Sequence, residues 1–467
     1  MKIKSLVLPL MAFCVLGFTS CSNDNGPGYS ASALKNTELM TILKSKGYTF
    51  DQEGKLELND LANNTTSLDL SGTKLTDFTG LDILPNLKEV KLANNGYGPS
   101  FDFAKLPAQI TGIDLTGNDI YDFAGLVKTE IVNDEIKTTI LHPLTRLYLP
   151  ATAKYNVEDL MPFYKENQLE KKAVDMQMID SEGSLKAYNT IRLIPDEYFR
   201  EYLKTKFSSI FVNETSIDIS LPMALKAQGE NIMLGYMTPF PNLSKIKSIE
   251  GVEYFVNNPF YKSFGIALKC PQHCSISYLS PRGNIRALLL NNIDTPSGID
   301  FSGASGLSSV QLIDNSVIEA IDLSHTLVGN QDASKFDVLF SNSLQLQNCN
   351  NLQEVVFNPS GVGIFDGLHI AKLPKLKKLD LSFAQGFQIL TLLQIPNCTI
   401  TYPINLKYYY DGASGELAEL SEINAVSFGI SKDVYDQTST KDFITRYGKF
   451  LTDTSDDYSE YDAYKWH

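Results

Sequence analysis

Tryptophan occurs once in 467 residues, histidine five times and cysteine six times. Five scattered histidines offer little for imidazole catalysis or a histidine-rich metal centre, and each reads as a surface or packing residue. Positive charge is also in deficit. Lys and Arg number 40 against 54 Asp and Glu, a formal net charge of −14. A surface of that sign repels phosphate backbones and anionic headgroups, which argues against nucleic acid as a partner and against adsorption to anionic lipid. The patterns H-E-x-x-H, G-x-S-x-G and G-x-x-x-x-G-K are all missing. Gly361 to Gly367 (GVGIFDG) has one glycine misplaced for a dinucleotide loop and reads as turn glycines. No catalytic residue, cofactor or metal site is therefore expected. Beyond residue 20 no run approaches the ~18 apolar residues that a membrane-spanning helix needs.

What is present begins at the N-terminus. Lys2 and Lys4 precede an apolar stretch from Leu6 to Gly17, too short to cross a bilayer, and then comes Phe18-Thr19-Ser20-Cys21. Small residues before a cysteine resemble the lipobox of bacterial lipoproteins. That resemblance implies a signal peptide over 1–20 and an acylated N-terminal Cys21, with a breaker-rich tether over 21–34. The alternative is an ordinary signal peptide with an incidental cysteine. Asp24, soon after Cys21, is similar to export signals of surface lipoproteins. The implied location is the bacterial outer membrane, with the body exposed at the cell surface and the lipid as its one membrane contact.

The body carries internal copies. Thr66 to Thr73 (TSLDLSGT) aligns with Lys88 to Asn95 (KEVKLANN) and with Thr111 to Asn118 (TGIDLTGN). Leu70, Leu92 and Leu115 are 22 and 23 residues apart. Leu149, in Thr145 to Leu149 (TRLYL), follows after 34, which predicts an insertion near Val127 to His142. In L-x-x-L-x-L-x-x-N the leucines point inward from a short strand and the Asn side chain bonds backbone left unpaired at the turn. The pattern and period resemble leucine-rich repeats.

A second, more degenerate series follows: Asn284 to Asn292, Leu307 to Leu312, Ile318 to Leu323, Ser343 to Leu346, Leu352 to Phe357 and Leu376 to Leu381. Some copies lie only 11 residues apart, half a repeat, which predicts a strand on each side of the turn. This stretch resembles the bacterial surface-antigen class of leucine-rich repeats, which implies that Cys349 and Cys398 are buried ladder thiols. Each series is preceded by a helix-like leader, Leu39 to Lys46 and Ile194 to Leu203, and then by Leu75 to Leu81 or Lys247 to Phe255. The expectation is an α/β leucine-rich repeat solenoid, β-rich overall, with two tandem arrays of short parallel strands and helical leader or cap segments. Its parts are a leader and first array (35–170), a second leader (171–275), a second array (276–400), and a C-terminal cap with an acidic, loose tail (401–467).

The binding candidate is a face rather than a motif. The middle residue of each L-x-L strand points outward, so Asp69, Lys91, Asp114 and Tyr148 are expected in one column, and Leu289, Gln311, Asp322 and Asp380 in its counterpart. Either column equally reads as solvated strand surface. Cys270-Pro-Gln-His-Cys274 reads as a disulfide, with free thiols as the alternative; its spacing matches no zinc pattern. Asp51 to Glu57 resembles a decayed calcium loop but has Thr49 where the first carboxylate belongs, so it reads as a turn. Three functions follow: a scaffold for an unidentified protein or glycan, a structural envelope lipoprotein with no external ligand, or a glycan hydrolase using Asp69 and Asp114. Two strands of separation place that carboxylate pair roughly 10 Å apart, wide even for an inverting enzyme.

Overall fold

The computed structural model describes residues 28–133, 135–221, 231–236, 239–261, 265–330, 342–358, 363–411 and 416–467. The expected signal peptide, Cys21 and the start of the expected tether lie outside the described residues, as does part of the Gly361–Gly367 run. The fold is β-rich, with 34% strand against 19% helix, and most of its strands run parallel. Among the described residues no sheet closes into a barrel.

The first ladder joins Ser67–Asp69, Glu89–Lys91, Gly112–Asp114, Arg146–Leu149 and Asp175–Ile179 side by side and parallel. Leu185–Ala187 closes its end antiparallel. The alternation of the copies sets the faces. Leu68, Val90, Ile113, Leu147 and Met176 form one buried row. Leu70, Leu92, Leu115 and Leu149 are buried one pleat further on. Each leucine removed from water contributes about 2 kcal/mol. The expected insertion is an antiparallel hairpin, Val127–Val132 with Glu135–Ile140.

Turns are stitched by asparagine. Asn118 is buried; its Nδ2 donates to the carbonyls of Leu92 (3.0 Å) and Leu115 (2.8 Å), and its Oδ1 accepts from the backbone of Asn95, Gly96 and Tyr97. Asn95 does the same one copy earlier, donating to Leu70 and Leu92 and accepting from Lys74. One side chain thus ties two successive turns.

The second ladder runs through Ile232–Leu234, Gly265–Ser275, Ala287–Asp294, Ser309–Ile313, Ser343–Gln347, Gly363–Ala371 and Ala384–Leu393, all parallel. Leu290, Leu312, Leu346, Ile370 and Leu392 form a buried row across it. A second set of strands contributes to the same core: Ala320–Asp322 pairs with Glu354–Val356, and Lys378–Asp380 with Thr399–Thr401. The half-repeat spacing is thus one strand in the ladder and one in this second set. Cys349 and Cys398 are free and buried, and Cys349 Sγ donates to the Leu312 carbonyl as Asn118 does to that of Leu92.

Several boundaries differ from expectation. The first ladder continues past residue 170 to Ala187, because Met176 and Met178 take inward positions that elsewhere hold Leu or Val. The second begins at Ile232 and continues through Val426–Ile430 and Leu451–Asp453. The C-terminal tail is not loose. Trp466 Nε1 donates to the Phe428 carbonyl at 3.3 Å, Tyr461 OH accepts from Gln347 Nε2 at 2.9 Å, and Gly429 leaves room for the Tyr458 ring.

The leader plan occurs twice. Tyr29–Ala33 pairs with Lys55–Glu57 around the helix Thr37–Ser45, and Ile191–Leu193 pairs with Ser216–Asp218 around the helix Glu197–Phe207. Asn36 caps the first helix and donates to the Asp77 and Thr79 carbonyls; Asp196 caps the second and accepts from Lys247 N and Ser248 N. Gly80 and Gly251 sit at φ 94° and 106°, where a Cβ would strike Leu34 and Ile194.

Among the described residues two hydrophobic cores result, and the boundary between them is charged. Arg282, its side chain 12% exposed, pairs with Asp122 (Nη2–Oδ1 3.0 Å) and Glu158 (Nε–Oε2 2.6 Å). Tyr278 OH donates to Asp122 at 3.1 Å, and Lys154 pairs with Glu250 at 2.7 Å. Tyr121 and Tyr155 come from the first array yet pack in the second core.

Asn118→Leu strands several backbone groups and lowers the unfolding free energy by about 3 kcal/mol, read by urea titration; a loss below 1 kcal/mol would contradict the stitching role. Glu253 is fully buried, accepts from Gly251 N at 2.7 Å, and desolvation pushes its carboxyl up to about 7. A raised carboxyl stabilises the fold below its unfolded value of 4.5 and loses that contribution as pH rises through 7. Glu253→Gln should flatten the pH dependence of Tm between pH 4.5 and 7; an unchanged slope counts against it.

Candidate binding face

The register of the first ladder places Asp69, Lys91, Asp114 and Tyr148 in one outward row, as expected, and adds Gln177. Strands lie ~4.8 Å apart, so the row repeats at that interval. A neighbouring outward row holds Ser67, Glu89, Gly112, Arg146 and Asp175.

The second row is the more organised. Arg146 Nη1 pairs with Glu89 Oε2 at 2.6 Å, although the strand of Gly112 lies between theirs. The pair closes because Gly112 has no side chain; a Cβ there would sit 2.8 Å from Glu89 Cγ. On its other side Arg146 Nε lies 3.6 Å from Asp175 Oδ2, and its guanidinium sits over the Tyr148 ring at 5.7 Å. Tyr148 OH donates to Asp175 Oδ2 at 2.6 Å and Gln177 Nε2 to Asp175 Oδ1 at 2.6 Å. The Tyr148 bond, then the Gln177 bond, hold the Asp175 carboxyl below its ordinary range, while the same bond raises the Tyr148 phenol. The face is about two-fifths exposed at these side chains, so each pair contributes at most ~1 kcal/mol. What it offers a partner is an ordered set of donors and acceptors.

The aspartates have a second occupation. Asp69 accepts from Ser71 N (2.9 Å), Asp114 from Thr116 N (3.0 Å), Asp322 from Ser324 N (2.9 Å) and Asp380 from Ser382 N (3.1 Å). All four lie in Asp-Leu-Ser/Thr segments, where the carboxylate caps the turn at the strand exit. The Ser71 bonds hold the Asp69 carboxyl down.

Asp322 and Asp380 do not join the column of Leu289 and Gln311. They belong to the second set of strands, Asp322 opposite Val356 and Asp380 opposite Thr401. The turn motif is local and serves either set. The row through Leu289 and Gln311 continues to Gln345, His369 and Thr391. Its amides form a chain: Tyr236 OH donates to Gln311 Oε1 (2.6 Å), Gln311 to Gln345 (2.5 Å), Gln345 to Gln347 (3.3 Å) and Gln347 to Tyr461 OH (2.9 Å).

Cys270 and Cys274 are not a disulfide; both are free and buried. They lie on one strand, Gly265–Ser275, whose register shifts between Lys269 and Cys274. Cys274 Sγ donates to the Gln272 carbonyl at 3.5 Å and to the Lys247 carbonyl at 3.8 Å. The Asp51 segment is a turn in which Asp51 Oδ1 accepts from Glu53 N and Lys55 N. Among the described residues no group of three or more His, Cys, Asp or Glu is placed to hold a metal ion, and no helix is long and apolar enough to cross a membrane.

Glu89, Arg146, Asp175 and Gln177 were missed as functional candidates. The signal for the first two lay in the aligned copies, where Glu89, Gly112 and Arg146 occupy one position. Asp175 and Gln177 carried none, because their strand holds Met where the copies hold Leu.

No protein-family model matches the chain, and no curated protein matches it at a significant level.

The cluster gives a direct test. Tyr148→Phe removes the main bond that lowers Asp175, so the Asp175 carboxyl should titrate at higher pH in a 13C NMR titration, with the fold unchanged by circular dichroism. An unshifted Asp175 would refute the assigned bond.

Proposed function

We propose that the chain is a bacterial lipoprotein, acylated at Cys21, whose body is a pair of leucine-rich repeat solenoid modules that bind protein or glycan outside the cytoplasm. The observation that carries this reading is the outward row Asp69–Lys91–Asp114–Tyr148–Gln177, set in register beside Glu89, Arg146 and Asp175. The 22- and 23-residue spacing, the inward leucines and the asparagine-stitched turns support the leucine-rich repeat assignment. A face of this kind suits an extended partner, since neighbouring strands offer chemically different groups at regular intervals.

A second reading is a structural envelope lipoprotein without an external ligand. It is favoured by the degree to which the face satisfies itself: Asp69 and Asp114 cap turns, and Arg146, Glu89, Tyr148 and Asp175 bond one another.

The tests separate anchor from scaffold. Cys21→Ser should abolish incorporation of labelled palmitate and release the protein from the membrane fraction; retention of both would remove the lipoprotein assignment. Protease shaving of intact cells should cut the body. Affinity capture with the body should recover a partner that a Lys91→Glu/Arg146→Glu variant loses at least tenfold. A shielded body with no capture leaves the structural reading standing.

A further inference from the structure

The copies that carry residues 343–358 and 363–383 meet differently on their two sides. Along the second ladder they pair without offset, Leu344 opposite Leu368 and Leu346 opposite Ile370. In the second set of strands they do not pair: Glu354–Val356 bonds with Ala320–Asp322, and Lys378–Asp380 with Thr399–Thr401. One backbone bond, Lys377 N to the Gln353 carbonyl at 3.1 Å, joins these pairs, and beyond it they splay. The cause is aromatic bulk. Phe357, Phe365 and Phe383 form a mutual cluster with ring centroids 5.4 to 6.2 Å apart. Gly329 and Gly363 make room for it, since a Cβ would lie 2.6 Å from Phe365 or 2.7 Å from Phe383.

The wedge opens a cleft of about 620 Å³, within the range of small-ligand sites. Val355 and Phe357 form an apolar floor, with Phe383 half-buried and Val356 exposed at the rim. The walls differ in what they leave unmet. Lys377 Nζ is bound to Gln353 Oε1 at 2.7 Å, and Lys378 Nζ is paired with Asp380 at 3.0 Å. Glu319 and Glu354, on the facing wall, have no side-chain hydrogen bond or ion pair among the described residues. The cleft therefore has an apolar base, one lysine paired with a carboxylate, one bound to a neutral amide, and two exposed carboxylates without a side-chain partner among the described residues.

We propose that this cleft binds an amphipathic organic cation, an ammonium group on an aromatic or branched aliphatic body. The body covers Val356 and Phe383, and the ammonium meets Glu319 and Glu354. A neutral molecule of the same shape gains only the apolar contact. An anion of that shape faces the unpaired carboxylates with Lys378 already held by Asp380. The site lies in the second set of strands, apart from the face assigned above, and does not depend on that assignment.

The probes are 2-phenylethylamine, 2-phenylethanol and phenylacetate, titrated into the full chain and followed by ligand-observed NMR. The amine should bind about tenfold tighter than the alcohol, the sum of two partly exposed ion pairs of ~0.5–1 kcal/mol each. The double variant Glu319→Gln/Glu354→Gln should bring the amine to the alcohol's affinity while leaving the alcohol unchanged. Salt at 1 M should erode the preference. Lys91→Glu in the first ladder should leave all three affinities as they were. Equal binding of amine and alcohol, preference for phenylacetate, or no binding of any probe at tens of millimolar overturns the proposal.

Discussion

Strand register governs both ladders. Each parallel strand of the first ladder meets the next without offset, so every copy of a sequence position falls into one row. The inward rows become continuous hydrophobic ridges, the asparagines reach from one turn to the next, and the outward positions line up as columns. A slip of one residue would turn every leucine to solvent. The energy of the core and the geometry of the face are thus one constraint seen from two sides, and the Glu89–Arg146 pair over Gly112 exists only within it.

The two ladders meet at a charged boundary. Arg282 carries two carboxylates of the first array, and a second ion pair, Lys154–Glu250, lies beside it. A largely enclosed cation holding two acids is costly to separate, because removing either side leaves a poorly hydrated charge. Burial also raises the Glu158 and Asp159 carboxyls, so this boundary favours protonation where the open face does not. Tyr121 packs against both Tyr155 and Tyr278 beside it, and Tyr278 OH donates to Asp122.

Much of this was legible in the residues, and the reasons for the rest are physical. The copies ending at Leu70, Leu92 and Leu115 announced the strands, and the longer step to Leu149 announced a hairpin. The paired leaders were visible because a capped helix followed by a positive-φ glycine is a local signal. The strand Asp175–Ile179 was invisible because methionine replaced leucine in the pattern. The final strand Leu451–Asp453 was hidden in a stretch rich in Tyr and Asp. Asp322 and Asp380 were misplaced because an Asp-Leu-Ser turn looks the same on either set of strands. Cys270 and Cys274 suggested a bond by proximity in sequence; a strand that shifts register between them leaves two buried thiols instead.

The amide chain from Tyr236 to Tyr461 carries an implication of its own. Its four bonds all point one way, each glutamine accepting from one neighbour and donating to the next. An amide cannot turn over alone without setting donor against donor, so the three must reverse together. The hydroxyls at both ends can donate or accept, and either sense can therefore be satisfied. The row is in effect a single polar switch with two settings, and its ends lie at the opening strands of the second ladder and in the C-terminal tail. A competing acceptor that takes the Tyr236 hydroxyl proton would be felt, as a reversed dipole, at Tyr461.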